Sequence, residues 1–376
     1  MKNLTRAAVL PRYRAGSLGE VLPSAVAALG TQGWTNALEL PSMESYVVFL
    51  VDGLGANLLR RHAAEAPYLM SLFDREPLTA GVPSTTATSL TSLGTGLPPG
   101  SHGVVGFTSR IPGTNRLLEA LRWDARVDPR EWQRHETVFG RARAGGVEAT
   151  VVSKRMFQGT GLTDVSQRGA SYIGADTIGE RISGAVRAAT ECQSLTYLYE
   201  GELDATGHRR GCTSWAWLHQ LAIIDMFAAR LREALPKHAG LVITGDHGMV
   251  DVQLEHRVDV DDEPDLMNGV SLLGGEARFR HLYCDSGAVQ DVAARWAQRL
   301  GDDAVVVTRD QAIDEGWFGQ VEPEVRPRLG DVMVASLGEM AVVSTSRFPH
   351  EATLLGLHGS MTEDEMLVPL LVDAAG

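Results

Sequence analysis

Short apolar runs that end in glycine-marked polar segments constrain the fold of this chain more than any other feature. The first, Tyr46–Val51, reads YVVFLV and ends at Asp52-Gly53. Similar runs lie at Ala149–Ser153, Leu195–Tyr199, Leu241–Thr244 and Leu367–Val372. Runs apolar at every position suit strands buried on both faces, as in a parallel sheet. A helical pattern at 17–30 precedes them, and others at 56–63, 66–73, 131–145, 177–190 and 213–235 stand between them. Strand–helix alternation predicts α/β architecture: a mostly parallel central sheet with helices on both faces. One elaborated catalytic domain over residues 1–376 accommodates it.

Two segments interrupt the alternation. Residues 106–135 carry Pro112, Gly113 and tryptophans without a clear period. Residues 251–345 contain the acidic run DVDDEPD, the strand-like pieces HLYC, AVVVT, DVMVA and AVVS, and a helical pattern near 287–300. The second segment is expected to be an inserted α+β cap subdomain ahead of the last core strand, where specificity is commonly carried.

Charge narrows the partners. The 34 basic and 47 acidic side chains leave a net charge of −13. Such a surface argues against a nucleic-acid polymer as partner. Handling phosphate would then need local positive charge, which bound cations supply. Cys192, Cys212 and Cys284 have neither zinc-ribbon nor redox-motif spacing, so reduced thiols are expected. The N-terminal MKNLTRAAVLPRYRAGSLGE lacks a signal peptide's apolar stretch, and no apolar run approaches the roughly 20 residues that span a bilayer. A cytoplasmic protein without membrane contact is the expectation.

Five segments carry candidate chemistry. Asp52, in VDGLG, follows a strand directly, where ligands of open α/β sheets bind; an Asp-Gly turn is the ordinary alternative. In GVPSTTATSLTSLGTG, hydroxyls cluster at Ser84, Thr85, Thr86, Thr88 and Ser89 ahead of a helix-like run. A helix N-terminus there would favour phosphate, and a metal-coordinated hydroxyl can attack phosphorus. A capping segment would look similar. Asp204 and His208 in YEGELDATGHRRG are four apart, which unites two ligands on a helical turn or in a compact loop. Asp246 and His247 sit between glycines in LVITGDHGMV, and His358 in GLHGS.

The ordered set VDGLG, PSTTATS, DATGH, GDHG and LHG resembles the alkaline phosphatase superfamily, above all its nucleotide pyrophosphatase/phosphodiesterase branch. The likeness runs from about residue 46 to 372. It implies two divalent ions, usually zinc, with manganese or iron compatible with the same donors. By that resemblance one ion is held by Asp204, His208 and His358, and the other by Asp52, Asp246, His247 and the nucleophile. The nucleophile falls on Thr86, with Thr85 and Ser84 as neighbouring alternatives. The family's phosphate-binding asparagine has no counterpart, because the stretch reads HGVVGF with Gly106 and Phe107.

The implied reaction is hydrolysis of a phosphodiester or pyrophosphate in a small phosphate ester or nucleotide. Phosphomonoester or phosphonate hydrolysis on the same metals is the alternative, and a metal-binding module without turnover is the non-enzymatic one. Arg209, Arg210, Lys154 and Arg278–His281 are candidate charge contacts, against ordinary surface solvation. Phe107, Trp123 and Phe157 are candidate stacking partners, against core packing.

Overall fold

A computed structural model describes residues 8–191 and 193–374. Cys192 and the first seven residues therefore lie outside the described part. The central sheet has six strands: β1 (Ser45–Val51), β2 (Glu148–Ser153), β3 (Ser171–Gly174), β4 (Ser194–Glu200), β5 (Ala239–Gly245) and, after an insertion, β10 (Leu371–Asp373). Their order is β10-β5-β1-β4-β2-β3, with β10 antiparallel and the others parallel.

β1 shows why apolar residues are needed at every position. Val47, Phe49 and Val51 face one core with Trp217, Leu221, Ile224 and Phe227. Tyr46, Val48 and Leu50 face a second core with Leu22, Leu90, Val138 and Phe139. The helices involved are α1 (Val21–Ala28), α2 (Thr86–Thr95), α3 (Ile178–Ala189), α4 (Glu202–Arg210) and α5 (Trp215–Ala234). Each face of the sheet thus buries a helical layer, which removes apolar surface from water on both sides. Among the described residues no helix is long and apolar enough to cross a membrane.

A second, antiparallel sheet lies between β5 and β10. It contains β6 (Val270–Glu276), β7 (Phe279–Cys284), β8 (Ala304–Thr308) and β9 (Val332–Ser336), ordered β6-β7-β9-β8. Leu273, Leu282 and Val334 pack on α6 (Val289–Leu300) through Val292 and Trp296. Phe279, Met333 and Ala335 cluster with Val82, Val105 and Met361 of the main body. One of the expected strands stays outside this sheet: Ala341–Val343 pairs with Arg257–Asp259.

Two readings need correction. The run at 367–372 is not one buried parallel strand. Leu367–Val368 pairs antiparallel with Leu78–Thr79, and Leu371–Asp373 pairs antiparallel with β5. Pro369 lies between them, has no N–H for a ladder and ends the first pairing. The helix expected over 131–145 is two helices, Pro129–Trp132 and Val138–Ala144. Asp128 caps the first by accepting from Arg130 N–H, and Thr137 caps the second by accepting from Gly140 N–H. Each cap starts a new helix, so no continuous one forms.

Candidate active site

Strand register assembles the site. Val51 pairs with Glu200 on one side and with Gly245 on the other. Asp52, the start of α4 and Asp246 therefore leave the sheet at the same end, the carboxyl edge where ligands of such sheets bind. Asp204 and His208 both lie on α4, so their spacing of four is a helical turn. Gly53 has φ +77°, and a Cβ there would lie 3.0 Å from Cα and Cβ of Asp204. Only glycine lets β1 and α4 approach this closely.

Thr86 is the first residue of α2, with Thr85 at the N-cap. Helix dipole and first-turn N–H groups favour an anion at this end. The segment is tied to the His358 loop: Ser84 N–H donates to the Gly359 carbonyl at 3.0 Å. His358 Nδ1 lies 3.0 Å from the Ser84 carbonyl oxygen.

All seven predicted site residues converge. Thr86 Oγ1 lies 3.5 Å from Asp52 Oδ1 and 3.2 Å from His247 Nε2. His247 Nε2 is 3.4 Å from Asp52 Oδ1 and 3.5 Å from Asp246 Oδ2. Asp204 lies 3.3 Å from His208 Nε2 and 3.8 Å from His358 Nε2. The rings of His247 and His358 stack with centroids 3.6 Å apart.

The donors have the orientation a cation needs. His208, His247 and His358 each set Nδ1 against a backbone carbonyl, of Gly356, Gly248 and Ser84. A carbonyl only accepts, so each Nδ1 carries its proton and each Nε2 faces the cluster. Asp204 Oδ1 and Asp246 Oδ2 are buried without a hydrogen-bond partner. Asp204, His208 and His358 offer ligand atoms within 4.8 Å of one another, as do Asp52, Asp204 and His247. Asp204 thus borders both groups. These donors fit divalent ions.

Electrostatics agree. Burial, then the charges of Asp246 and Asp204, push the Asp52 carboxyl well above its ordinary range. Burial also raises Asp246. For Asp204 burial pulls upward, but His208, His358 and His247 outweigh it and hold the carboxyl low. Burial alone would lower His208; the Asp204 charge overrides it and raises the imidazole to about 9. Burial and the His247 charge push His358 well below the usual range. Without a cation, the His208 proton facing Asp204 and the raised proton affinity of Asp52 and Asp246 relieve the repulsion.

Sequence reasoning missed two neighbours. The Tyr199 hydroxyl donates to Asp52 Oδ2. Glu276, at the end of β6, is 7% exposed and lies beside the Thr85 hydroxyl and the Phe107 N–H. Tyr199 sits inside an apolar strand run, and β6 was not expected as a strand, so neither stood out.

For Arg278–His281, surface solvation and substrate charge contact both need correction, because Arg278, Arg280 and His281 are fully buried. Arg278 is buried and bidentate with Glu365; Arg280 donates to the Val342 carbonyl and pairs with Glu351. His281 is held by the Val105 carbonyl and Gly330 N–H. These side chains are structural. Lys154 pairs with Glu202, and Phe157 meets Tyr199 edge-on at 6.0 Å.

A mostly parallel α/β sheet with an Asp/His cluster and a helix N-terminal hydroxyl at its carboxyl edge is the layout that the resemblance to the alkaline phosphatase superfamily implies. The chain belongs to the type I phosphodiesterase/nucleotide pyrophosphatase family, whose sequence model matches residues 46–361. An uncharacterized pyrophosphatase/phosphodiesterase of Schizosaccharomyces pombe is 25% identical over 219 residues, 54% of this chain. The matched part is 44% of that relative's length. Murine ectonucleotide pyrophosphatase/phosphodiesterase 5 superposes with a TM-score of 0.69 at 18% identity, covering 87% of each chain. Phosphonoacetate hydrolase from Sinorhizobium meliloti, solved with phosphonoformate, gives 0.66 at 20% identity, covering 89% of this chain and 91% of that one. At such identities these structures speak for the fold.

Proposed function

We propose that the chain hydrolyses phosphodiester or pyrophosphate bonds of a small phosphate ester or nucleotide, with Thr86 as nucleophile and two divalent ions, zinc foremost. The observation that carries this reading is the Thr86 hydroxyl at the start of a helix, 3.2 Å from His247 Nε2 and 3.5 Å from Asp52. Asp204, His208 and His358 would hold one ion; Asp52, Asp246, His247 and Thr86 the other. When bound, such ions supply Lewis-acid charge that acidifies a hydroxyl and stabilises a leaving oxygen. Thr86 Oγ1 gives up its proton to solvent and attacks phosphorus in line. The bond from phosphorus to the leaving oxygen breaks, the leaving group departing as the alkoxide or phosphate anion or taking a proton from solvent. The first turn of α2 offers N–H groups to the phosphoryl oxygens. Water then displaces Thr86 from the covalent intermediate and restores the hydroxyl.

Family membership supports the reaction class. One similar structure is of an inactive threonine-to-alanine variant of the murine protein in complex with AMP, which supports a threonine nucleophile. The phosphonoacetate hydrolase neighbour supports phosphonate cleavage as the second reading. The sheet over 251–345 is part of the proposal as a cap on the site.

Thr86→Ala is expected to lower kcat on bis-nitrophenyl phosphate by about three orders of magnitude or more. Metal content should stay near two ions per chain by elemental analysis. Near-normal turnover in that variant would remove Thr86 from the role. Faster turnover of phosphonoacetate or of a monoester than of the diester would shift the substrate class.

A further inference from the structure

Glu276 reaches the site from the second sheet. A Cβ built on Gly359, next to His358, would lie 2.7 Å from Glu276 Cγ. On another side stand the Thr85 hydroxyl, one residue from Thr86, and the Phe107 N–H. The Glu276 charge also reaches His208. The carboxyl therefore borders the nucleophile segment, the His358 loop and the neighbourhood of His208. Its Oε1 is buried and has no hydrogen-bond partner. The nearby Arg280 spends Nε and Nη2 on the Val342 carbonyl and Glu351, leaves Nη1 buried without a partner, and its charge only partly offsets the burial of Glu276.

A buried carboxylate beside Thr85 acts on the charge of whatever binds at Thr86. A phosphomonoester carries nearly two negative charges above its second pKa of about 6, whereas a diester carries one. Repulsion in a desolvated pocket grows with that charge, and selectivity is often built from such a repulsive element. We propose that Glu276 sets the charge class of the substrate, admitting singly charged phosphodiesters and discriminating against doubly charged monoesters. The inference rests on the phosphoryl-transfer reading and names its substrate class more closely. A carboxyl that only braced Thr85 would be replaceable by glutamine without altering selectivity.

The test uses full-length, zinc-replete protein at about pH 9, since burial raises Glu276 to about 8 and it is ionised there. kcat/KM is measured for bis-nitrophenyl and mono-nitrophenyl phosphate, and inorganic phosphate binding by calorimetry. Glu276→Gln should raise the monoester-to-diester ratio about tenfold or more and tighten phosphate binding similarly. Glu276→Asp, which keeps the charge, should hold the ratio near the parent value. Melting curves establish that each variant is folded, and Glu276→Ala repeats the comparison should the glutamine variant not fold. An unchanged ratio with unchanged phosphate affinity overturns the inference, and so does an equal loss on both esters in the Gln and Asp variants. If the parent cleaves neither ester but Glu276→Gln still tightens phosphate, the hydrolase reading fails and the charge role stands. If it cleaves neither and phosphate affinity does not move, both fall.

Discussion

Tyr199 donates to Asp52 Oδ2 while Thr86 approaches Oδ1 at 3.5 Å, so the carboxylate is fixed from two directions. Burial and the Asp52 charge hold the Tyr199 phenol well above its ordinary pKa, which keeps it a donor. In the proposed two-ion site Asp52 is a metal ligand; hydrogen bonds behind a ligand orient it and tune its basicity, and losing one typically costs 10–100-fold. Tyr199→Phe is therefore expected to lower kcat/KM about tenfold or more and to weaken zinc retention, with the melting temperature nearly unchanged. Parent-like kcat/KM and zinc affinity would reduce Tyr199 to a packing residue. At this scale the sequence was legible where chemistry and local context agreed. Asp52, Asp246, His247 and His358 stand in glycine-marked turns where a buried-core role is unattractive. Tyr199 was hidden because an aromatic in a strand run reads as core, and only the fold shows that its hydroxyl has a carboxylate to meet.

A buried ion pair ties the second sheet to the His358 loop that frames the site. Arg278, just before β7, donates Nε to Glu365 Oε1 at 3.0 Å and Nη2 to Oε2 at 2.6 Å, and both side chains are fully buried. Glu365 also accepts from Ser360 N–H at 3.0 Å and the Thr362 hydroxyl at 2.6 Å. It thereby clamps the loop after His358 to the second sheet. Removing one partner leaves a buried charge uncompensated, so Glu365→Ala should cost about 3–5 kcal/mol of stability. The double variant Arg278→Met/Glu365→Met should cost much less, because no orphan charge remains. Denaturant unfolding checks both; a loss below about 1 kcal/mol in Glu365→Ala would mean that water reaches Arg278. The main strands were legible because burial on both faces demands apolar residues throughout. β3 reads SYIG and none of its four residues is fully buried, so it lacks that pattern. β6 ends in Gly-Gly-Glu, which weakens a strand pattern although Gly274 and Gly275 pair with His281 and Arg280.

At the scale of the whole molecule, contacts between distant parts of the chain decide what composition leaves open. Ser84 meets Gly359, and Glu276 meets Thr85, across separations that no local pattern spans. The α/β class and the metal-type donor set were readable because each leaves a local trace. The site's electrostatic balance was not, since it depends on which charges share one pocket. That balance has a pH consequence. Burial and neighbouring carboxylates raise Asp52, burial raises Asp246, and burial lifts Glu276 to about 8. The Asp204 charge overrides burial to lift His208 to about 9. In each case the folded pKa exceeds the unfolded one, so the native state binds more protons. Stability from these groups is complete below the unfolded pKa and is lost as pH rises through the folded pKa. His358 is displaced the other way, by burial and the His247 charge, and its contribution levels off above its unfolded pKa of about 6.5. The window from about pH 7.5 to 9 therefore spans the folded values of His208 and Glu276. His208, with its side chain 22% exposed, should alone contribute roughly 1–2 kcal/mol there after allowance for solvent screening. EDTA-treated protein should lose a few degrees of Tm across that window. Zinc-replete protein should lose less, because cations replace the proton at His208 and binding strengthens as ligands deprotonate, leaving the share of Glu276. If the EDTA-treated protein melts at one temperature across the window, the cluster is satisfied without cations and the two-ion reading of the pocket fails.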